Sequence, residues 1–207
     1  RPLVAQGSEI EIDYPEAGTY YRIVNNTDRF KGWSMYDNGN ATVTAAQQQY
    51  GADVWEMTDV AETATGQTMK LRNVATGRYI SSGAAPVALG ESGTQLTNVY
   101  NTKSGDFSIK SDNGALYPLS ERVASNPNTL ATGSAYPLGT GWVYEPAFIV
   151  TYECYDNNGN LIQTIYQAAA ADKPYTAAAP EIANHSAVSY NEGEAEAPVF
   201  NNMDSNK

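Results

Sequence analysis

The sequence predicts an all-β protein in which three similar units, each of four short strands, close into one sheet. Two observations carry this prediction. Short apolar or aromatic runs alternate with Gly, Asn, Asp and Pro along most of the chain, which is typical of strands joined by tight turns. The same strand–turn–strand pattern also occurs three times between about residues 18 and 148. Closing the sheet would remove its exposed edges, so the fold could tolerate many polar residues.

Each unit begins with a strand that alternates apolar with cationic or polar residues and ends in an Asn- or Asp-bearing turn. Ile23, Leu71 and Ile109 are the central apolar residues of these strands, and they lie 48 and 38 residues apart. A second short strand and one apolar anchor follow, and each unit closes on an aromatic residue. We expect six side chains in the shared core: Ile23, Leu71, Ile109, Trp55, Tyr100 and Trp142.

The first hairpin of the second unit carries a family resemblance. Leu71-Arg72-Asn73-Val74-Ala75-Thr76-Gly77-Arg78-Tyr79-Ile80-Ser81, with Thr76-Gly77 at its turn, resembles the first hairpin of a ricin-B-like repeat. The resemblance covers residues 18–148 and implies a β-trefoil. Sugar-binding repeats of that family typically close with Gln-x-Trp. The closings of this chain are Asp53-Val54-Trp55, Thr97-Asn98-Val99-Tyr100 and Thr140-Gly141-Trp142, so the Gln is absent from all three.

Residues 149–200 differ in composition and predict a separate small β module. Two apolar strands flank Asp156-Asn157-Asn158-Gly159-Asn160, whose Asn-Gly pair suits a tight hairpin turn. Together with the segment 174–182, this hairpin resembles the mucin-binding-protein repeat of bacterial surface proteins, which implies a β-grasp-like module. Residues 1–17 are expected to form a lead-in, and residues 201–207 a frayed polar tail. The sequence leaves open whether the chain is complete or a piece of a longer multidomain protein.

Composition excludes several classes of partner. The 207 residues contain 12 Lys and Arg against 23 Asp and Glu, a net charge of −11, which repels nucleic acids and anionic membrane surfaces. No run approaches the roughly 18 apolar residues needed for membrane insertion. Leu, Ile, Val and Phe make up only 17%, so the 15 Tyr and 3 Trp must supply much of the core. A start without Met is what a processed precursor or a trimmed chain would leave, and we expect a secreted or cell-surface location.

Catalytic and metal-binding residues are scarce, so we expect neither an enzyme nor a cofactor. The chain has one His, His185, and one Cys, Cys154. Cys154 alternates with Tyr152 and Val150 on one strand face and is therefore predicted to be buried and unreactive. Asp156-x-Asn158-x-Asn160 begins like a calcium loop but lacks the Gly and Glu required at later positions, so we interpret it as a turn. No phosphate-binding Gly loop is present.

The resemblance to trefoil lectins implies sugar sites near the first hairpin of each repeat. There an Asp or Asn accepts hydrogen bonds from sugar hydroxyls while an aromatic ring stacks on the sugar. The same residues also suit turns and cores, so both roles remain open. The candidates are Asn26, Asp28, Trp33 and Tyr36 in the first unit, Asn73 in the second, and Asp112 and Asn113 in the third.

We therefore predict a non-catalytic, exported module of a bacterial surface protein that binds a glycan or glycoprotein, in carbohydrate recognition or adhesion. Trp33 follows Gly32 and is flanked by Lys31 and Ser34, so its ring is the best candidate for an exposed stacking surface. The alternative is a protein-binding trefoil, either a structural spacer or a protease inhibitor, that presents its loops on a rigid scaffold without affinity for sugars.

Overall fold

The structure, a computed structural model, describes residues 2–4, 11–46, 49, 52–81, 85–120, 127–133, 139–191 and 193–207. Strands and turns account for the regular structure in these ranges. The described residues contain no helix that could cross a membrane. Two short strands precede the predicted units and pair antiparallel: β1 (Pro2–Val4) and β2 (Glu11–Asp13). Ile12 in β2 and Tyr14, just after it, are buried against Phe107.

The three predicted units contain twelve strands in the described ranges, four in each unit. The first unit contains β3 (Tyr20–Asn25), β4 (Ser34–Asp37), β5 (Thr42–Ala45) and β6 (Trp55–Thr63). The second unit contains β7 (Gly66–Asn73), β8 (Tyr79–Ile80), β9 (Leu89–Gly90) and β10 (Leu96–Asn101). The third unit contains β11 (Asp106–Ser111), β12 (Gly114–Pro118), β13 (Asn128–Gly133) and β14 (Trp142–Tyr155).

The first and last strands of the three units form a closed ring of six. The antiparallel pairs run β3–β6, β6–β7, β7–β10, β10–β11, β11–β14 and β14–β3, so the ring ends where it began. The inner strands of each unit form the hairpins β4–β5, β8–β9 and β12–β13, and β13 also pairs with β5. This ring with three hairpins is a β-trefoil, and the predicted fold class is confirmed.

A single apolar cluster fills the interior of the ring. Five of the six predicted core residues belong to it and are fully buried: Ile23, Leu71, Ile109, Trp55 and Trp142. The two indoles are held in equivalent ways, because each Nε1–H donates to a backbone oxygen of its own unit's hairpin. Trp55 donates to Met35 O at 2.9 Å and Trp142 to Leu116 O at 3.0 Å.

The sixth core prediction, Tyr100, is wrong. Trp55 and Trp142 face Asn73 and Asn25 at the ends of β7 and β3. Strand β10 begins with Leu96, one residue before the Thr97–Lys110 pair. Leu96 is fully buried. Tyr100 lies four residues further along, opposite Phe107, and is only partly buried. The third position therefore uses a Leu, and an aromatic residue was the wrong marker for it.

The C-terminal part continues directly from the last strand of the trefoil, β14. β14 runs on past the predicted boundary at 148 and forms a long hairpin with β15 (Leu161–Ala170). One face of this hairpin, including Ile149 and Ala168, packs against Val54 of the trefoil. The opposite face is covered by the remaining chain, which contains β16 (Tyr175–Thr176) and β17 (Val199–Phe200).

Two expectations for the C-terminal part are wrong. The polar tail is not frayed: Lys207 N donates to Ile149 O at 2.8 Å, and Thr151 N donates to Lys207 O at 2.8 Å. Met203 is fully buried against Val150 and Ala169, so one apolar side chain in a polar segment anchors it. Cys154 is only partly buried, because β14 projects beyond the trefoil there. Burial still raises the pKa of its thiol.

Met203 provides a test of this docking. Because its side chain is fully buried, Met203→Ala is expected to destabilise the protein by about 2–5 kcal/mol. The matched control Met203→Leu should cost less than about 1.5 kcal/mol, since it nearly preserves volume. Urea unfolding measures both, and hydrogen exchange at the Lys207 amide should accelerate in Met203→Ala alone. Equal stability and equal exchange in the two variants would show that the tail is not anchored through Met203.

Candidate functional site

The candidate site of the first unit is the turn that joins β3 to β4. Two backbone hydrogen bonds hold the turn: Asn26 N donates to Gly141 O at 2.9 Å, and Gly32 N donates to Asn25 O at 3.0 Å. Gly32 has φ +87° with open space around its Cα, a conformation that strongly favours glycine. These contacts fix the path of the turn just before Trp33.

Trp33 is the only one of the three tryptophans with exposed surface, because Trp55 and Trp142 are fully buried. Its ring meets the buried ring of Phe30 edge to face, with centroids 5.2 Å apart and planes at 87°. Its backbone N donates to Phe30 O at 2.8 Å. The indole is therefore held in place on one side while part of its surface faces solvent.

Only the first unit can present an aromatic ring at this position. Trp33 O accepts from Asn25 N, as Arg78 O accepts from Asn73 N in the second unit. The Arg78 side chain instead donates hydrogen bonds to the Asp37 carboxylate. In the third unit the corresponding residue is Gly114, which faces Ser111. A Cβ there would lie 2.6 Å from the carbonyl carbon of Gly133, so no side chain fits.

The other candidates of the first unit lie in different surroundings. Asp28 is exposed on the turn. Asn26 is half-buried, and its Nδ2 donates to Asp106 Oδ2 at 3.2 Å. Tyr36 is buried beside Val43 in a small apolar cluster, and burial raises its phenol pKa. The structure thus groups Asn26, Asp28 and Trp33 on one turn and places Tyr36 in the interior.

The candidate residues of the other two units also differ in burial. Asn73 is fully buried: its Nδ2 donates to Ala52 O at 2.7 Å, and its Oδ1 accepts from Ala75 N and Thr76 N. It holds the turn between β7 and β8. Asp112 and Asn113 are exposed on the β11–β12 turn, with no aromatic side chain at the position equivalent to Trp33.

Asp37, which no motif in the sequence singled out, is buried where the first and second units meet. Arg78 donates to both of its carboxylate oxygens, and Thr76 Oγ1 donates to Oδ2 at 2.8 Å. Burial alone would raise the Asp37 pKa, but the hydrogen bonds from Arg78, Gly39 and Thr76 outweigh it, and the pKa is lowered. The Asp37-Asn38-Gly39-Asn40 stretch is typical of a turn, so nothing in it indicates this ion pair.

A second buried acid lies at the Gln position of the first closing motif. Asp53 is fully buried, and its Oδ2 lies 3.6 Å from Arg22 Nε and accepts from Gln49 N at 3.3 Å. Burial raises its pKa to about 6, against the opposing effect of Arg22. Asp53 is therefore a structural residue of the interior rather than a surface binding residue. No group of His, Cys, Asp and Glu that could hold a metal occurs among the residues the structure describes.

Comparisons with known proteins give weak structural similarities. No protein-family model matches the sequence, and no curated protein matches it. Among solved structures, the Rhizoctonia solani agglutinin is 16% identical with a TM-score of 0.47, over 64% of this chain and 96% of its own. The BEL beta-trefoil is 15% identical with a TM-score of 0.49, over 65% of this chain and 97% of its own. The strand topology described above, rather than these similarities, defines the fold.

Asp53 predicts an unusual pH dependence. Its folded-state pKa of about 6 exceeds the ordinary 3.8, so the folded protein binds this proton more tightly than the unfolded chain does. Its contribution to stability is therefore fully present below about pH 4 and is lost as the pH rises to about 6, by up to about 1.4 kcal/mol per pH unit. Asp53→Asn removes the titration, and urea unfolding from pH 4 to 7 measures the difference. Parallel stability curves for the two proteins would contradict this assignment.

Proposed function

We propose that this protein is a carbohydrate-binding module whose principal contact is the indole ring of Trp33. One observation supports the proposal above the others: of three tryptophans, Trp33 alone has exposed surface, and it does so on a turn that also carries the exposed carboxylate of Asp28. The apolar face of a sugar ring stacks on such an indole, and the carboxylate accepts hydrogen bonds from its hydroxyls.

The fixed position of the ring favours binding. Because Trp33 packs edge to face on Phe30, little side-chain freedom remains to be lost when a sugar stacks on it. Hydrogen bonds to a charged acceptor such as Asp28 contribute about 1.5–3 kcal/mol each. A single shallow site of this kind gives affinities between about 1 mM and 1 µM, or −4 to −8 kcal/mol. Tight attachment to a glycan-bearing surface then requires several modules acting together.

The biological setting we propose is adhesion. A non-catalytic, exported module of a bacterial surface protein would bind a host or dietary glycan or glycoprotein, consistent with weak single-site affinity and a chain of net charge −11. The resemblance of residues 149–200 to a mucin-binding-protein repeat supports the same setting.

Protein binding is the second candidate, and a different observation favours it. At the free end of the β14–β15 hairpin, Tyr155, Leu161 and Ile162 expose 54%, 53% and 38% of their surface. Exposed apolar residues grouped at the end of a projecting hairpin are typical of protein contacts. In this case the trefoil would act as a spacer or inhibitor scaffold.

A glycan array decides between the two candidates. The wild-type protein, displayed multivalently, is expected to bind a restricted set of glycans. Trp33→Ala should weaken that binding at least about tenfold, since it removes the stacking surface, whereas Trp33→Phe should retain part of it. Tyr155→Ala is the matched control, because it removes an exposed aromatic ring from the hairpin end and should leave the array signal unchanged.

Two results would contradict the proposal. If Tyr155→Ala abolishes glycan binding while Trp33→Ala retains it, the contact lies on the hairpin rather than on the β3–β4 turn. If the wild-type protein binds no glycan but captures a defined protein through Tyr155, the protein-binding function replaces the proposed one. Circular dichroism confirms that each variant is folded.

A further inference from the structure

Two adjoining turns beside Trp33 carry more positive than negative charge. The β3–β4 turn (residues 26–33) meets the β10–β11 turn (residues 102–105) at Asn26, whose Nδ2 lies 3.5 Å from Ser104 O. The exposed charged residues of the two turns are Asp28, Arg29, Lys31 and Lys103. Three cationic side chains therefore face solvent with one carboxylate, in a chain whose net charge is −11.

The two lysines of these turns differ from the cations that pair with acids elsewhere in the protein. Within the part of the chain that the structure describes, neither Lys31 nor Lys103 forms an ion pair with a carboxylate. Both ammonium groups are therefore available to an anion from outside. The side chains that do form ion pairs with acids are Arg22, Lys70, Arg72, Arg78 and Lys207.

The nearby carboxylate of Asp106 does not take the place of such an anion, because it is enclosed by the turns. Asp106 is buried, and it accepts from Ser104 Oγ at 2.6 Å and from Asn26 Nδ2 at 3.2 Å. The backbone of Gly141 covers it, since a Cβ there would lie 2.3 Å from Asp106 Oδ2. Its hydrogen bonds are made inside the fold, so Asp28 is the one exposed carboxylate on the two turns.

The local charge matters more at this site than the net charge of the protein. At physiological salt, interactions between exposed charges are screened over about 8 Å, so acids on distant surfaces have little effect near Trp33. A carboxylate or sulfate on a bound glycan would interact with Lys31 and Lys103 at shorter range. Asp28 repels an anion but accepts hydrogen bonds from hydroxyls. A glycan that carries both hydroxyls and an acidic group therefore suits this set of side chains.

We propose that the glycan bound at Trp33 is acidic, with its carboxylate or sulfate group bound by Lys31 and Lys103. This inference rests on the proposed function, because it assigns the ligand class of the same site. One sugar ring stacks on Trp33 with hydroxyls toward Asp28, and the acidic group belongs to that ring or to the neighbouring sugar. Complementary charge of this kind contributes more to selectivity between glycans than to affinity.

Matched acidic and neutral ligands test the proposal by isothermal titration calorimetry. The carboxylate probes are a galacturonic acid trisaccharide, a hyaluronan tetrasaccharide and sialyllactose, each beside its methyl ester, which keeps the sugar rings and removes the charge. A 6-sulfated galactose disaccharide beside its unsulfated form tests the other acidic group. In about 20 mM salt, at least one acidic probe should bind about tenfold more tightly than its neutral form. In about 0.5 M salt the preference should fall to about twofold, because the charges are then screened.

Substitutions of single lysines test the contacts. Lys31→Gln and Lys103→Gln should each weaken binding of the acidic probe about threefold, the effect typical of one exposed ion pair, and leave the neutral form unaffected. Lys173→Gln is the matched control, because it removes the same charge from an exposed lysine between β15 and β16 and should keep the full preference. Trp33→Ala should weaken both forms alike, since it removes the stacking surface.

The outcomes separate this inference from the proposed function. Loss of the acidic preference in the Lys31→Gln/Lys103→Gln double variant, but not in Lys173→Gln, supports the inference, and the probe pair that shows it identifies the carboxylate or the sulfate. If acidic and neutral forms bind equally and Trp33→Ala weakens both, the proposed function stands and the acidic class is overturned. A preference that survives in the double variant also overturns it, because the anion is then bound elsewhere. If no probe or array glycan binds, both fail.

Discussion

The pairing of β14 with β3 is the contact on which the rest of the structure depends. It closes the six-strand ring by joining the last strand of the third unit to the first strand of the first, from Trp142–Asn25 to Ala147–Tyr20. Closure leaves the ring without exposed edges and encloses the cluster that contains both buried tryptophans. Because β14 continues into the hairpin with β15, the same strand also positions the C-terminal part against the trefoil.

Ring closure requires only approximate threefold symmetry, and the differences between units are where function can arise. The buried Asn25 and Asn73 hold equivalent turns through equivalent hydrogen bonds, to Gly139 O and Ala52 O. In these two units the interior position is filled in the same way, whereas the third unit has Ser111 there. The position after the turn is free to differ, and it carries Trp33, Arg78 or Gly114. One residue offers a ring surface, one joins two units through Asp37, and one allows close backbone approach.

The sequence predicted the parts of the fold that depend on local periodicity. Alternating apolar residues located the strands around Ile23, Leu71 and Ile109, and the Asn-Gly turn located the β14–β15 hairpin. The prediction of Tyr100 as a core residue was wrong because the register of β10 depends on its pairing with β11, which local spacing does not determine. Leu96 fills the core position instead of an aromatic residue.

The site was predictable only in part. The sequence indicated Trp33 and Asp28, because a Trp after Gly in a polar turn is conspicuous. It could not distinguish the exposed Asp28 from the buried Asp37 and Asp53, since burial of an acid depends on partners distant in sequence. Arg78 lies 41 residues from Asp37. The anchoring of the tail by Met203 was hidden in the same way, because one apolar residue in a polar segment gives no periodic signal.

Tryptophan fluorescence tests the central proposal, that the partly exposed indole of Trp33 is the surface that contacts the sugar. Iodide quenches only solvent-accessible indoles, so with Trp55 and Trp142 fully buried the account predicts a single quenchable component. Trp33→Phe should eliminate it, and the glycan that binds most strongly on an array should protect it in the wild-type protein. Quenching that is unchanged at saturating glycan would contradict the account, because the sugar would then be bound elsewhere.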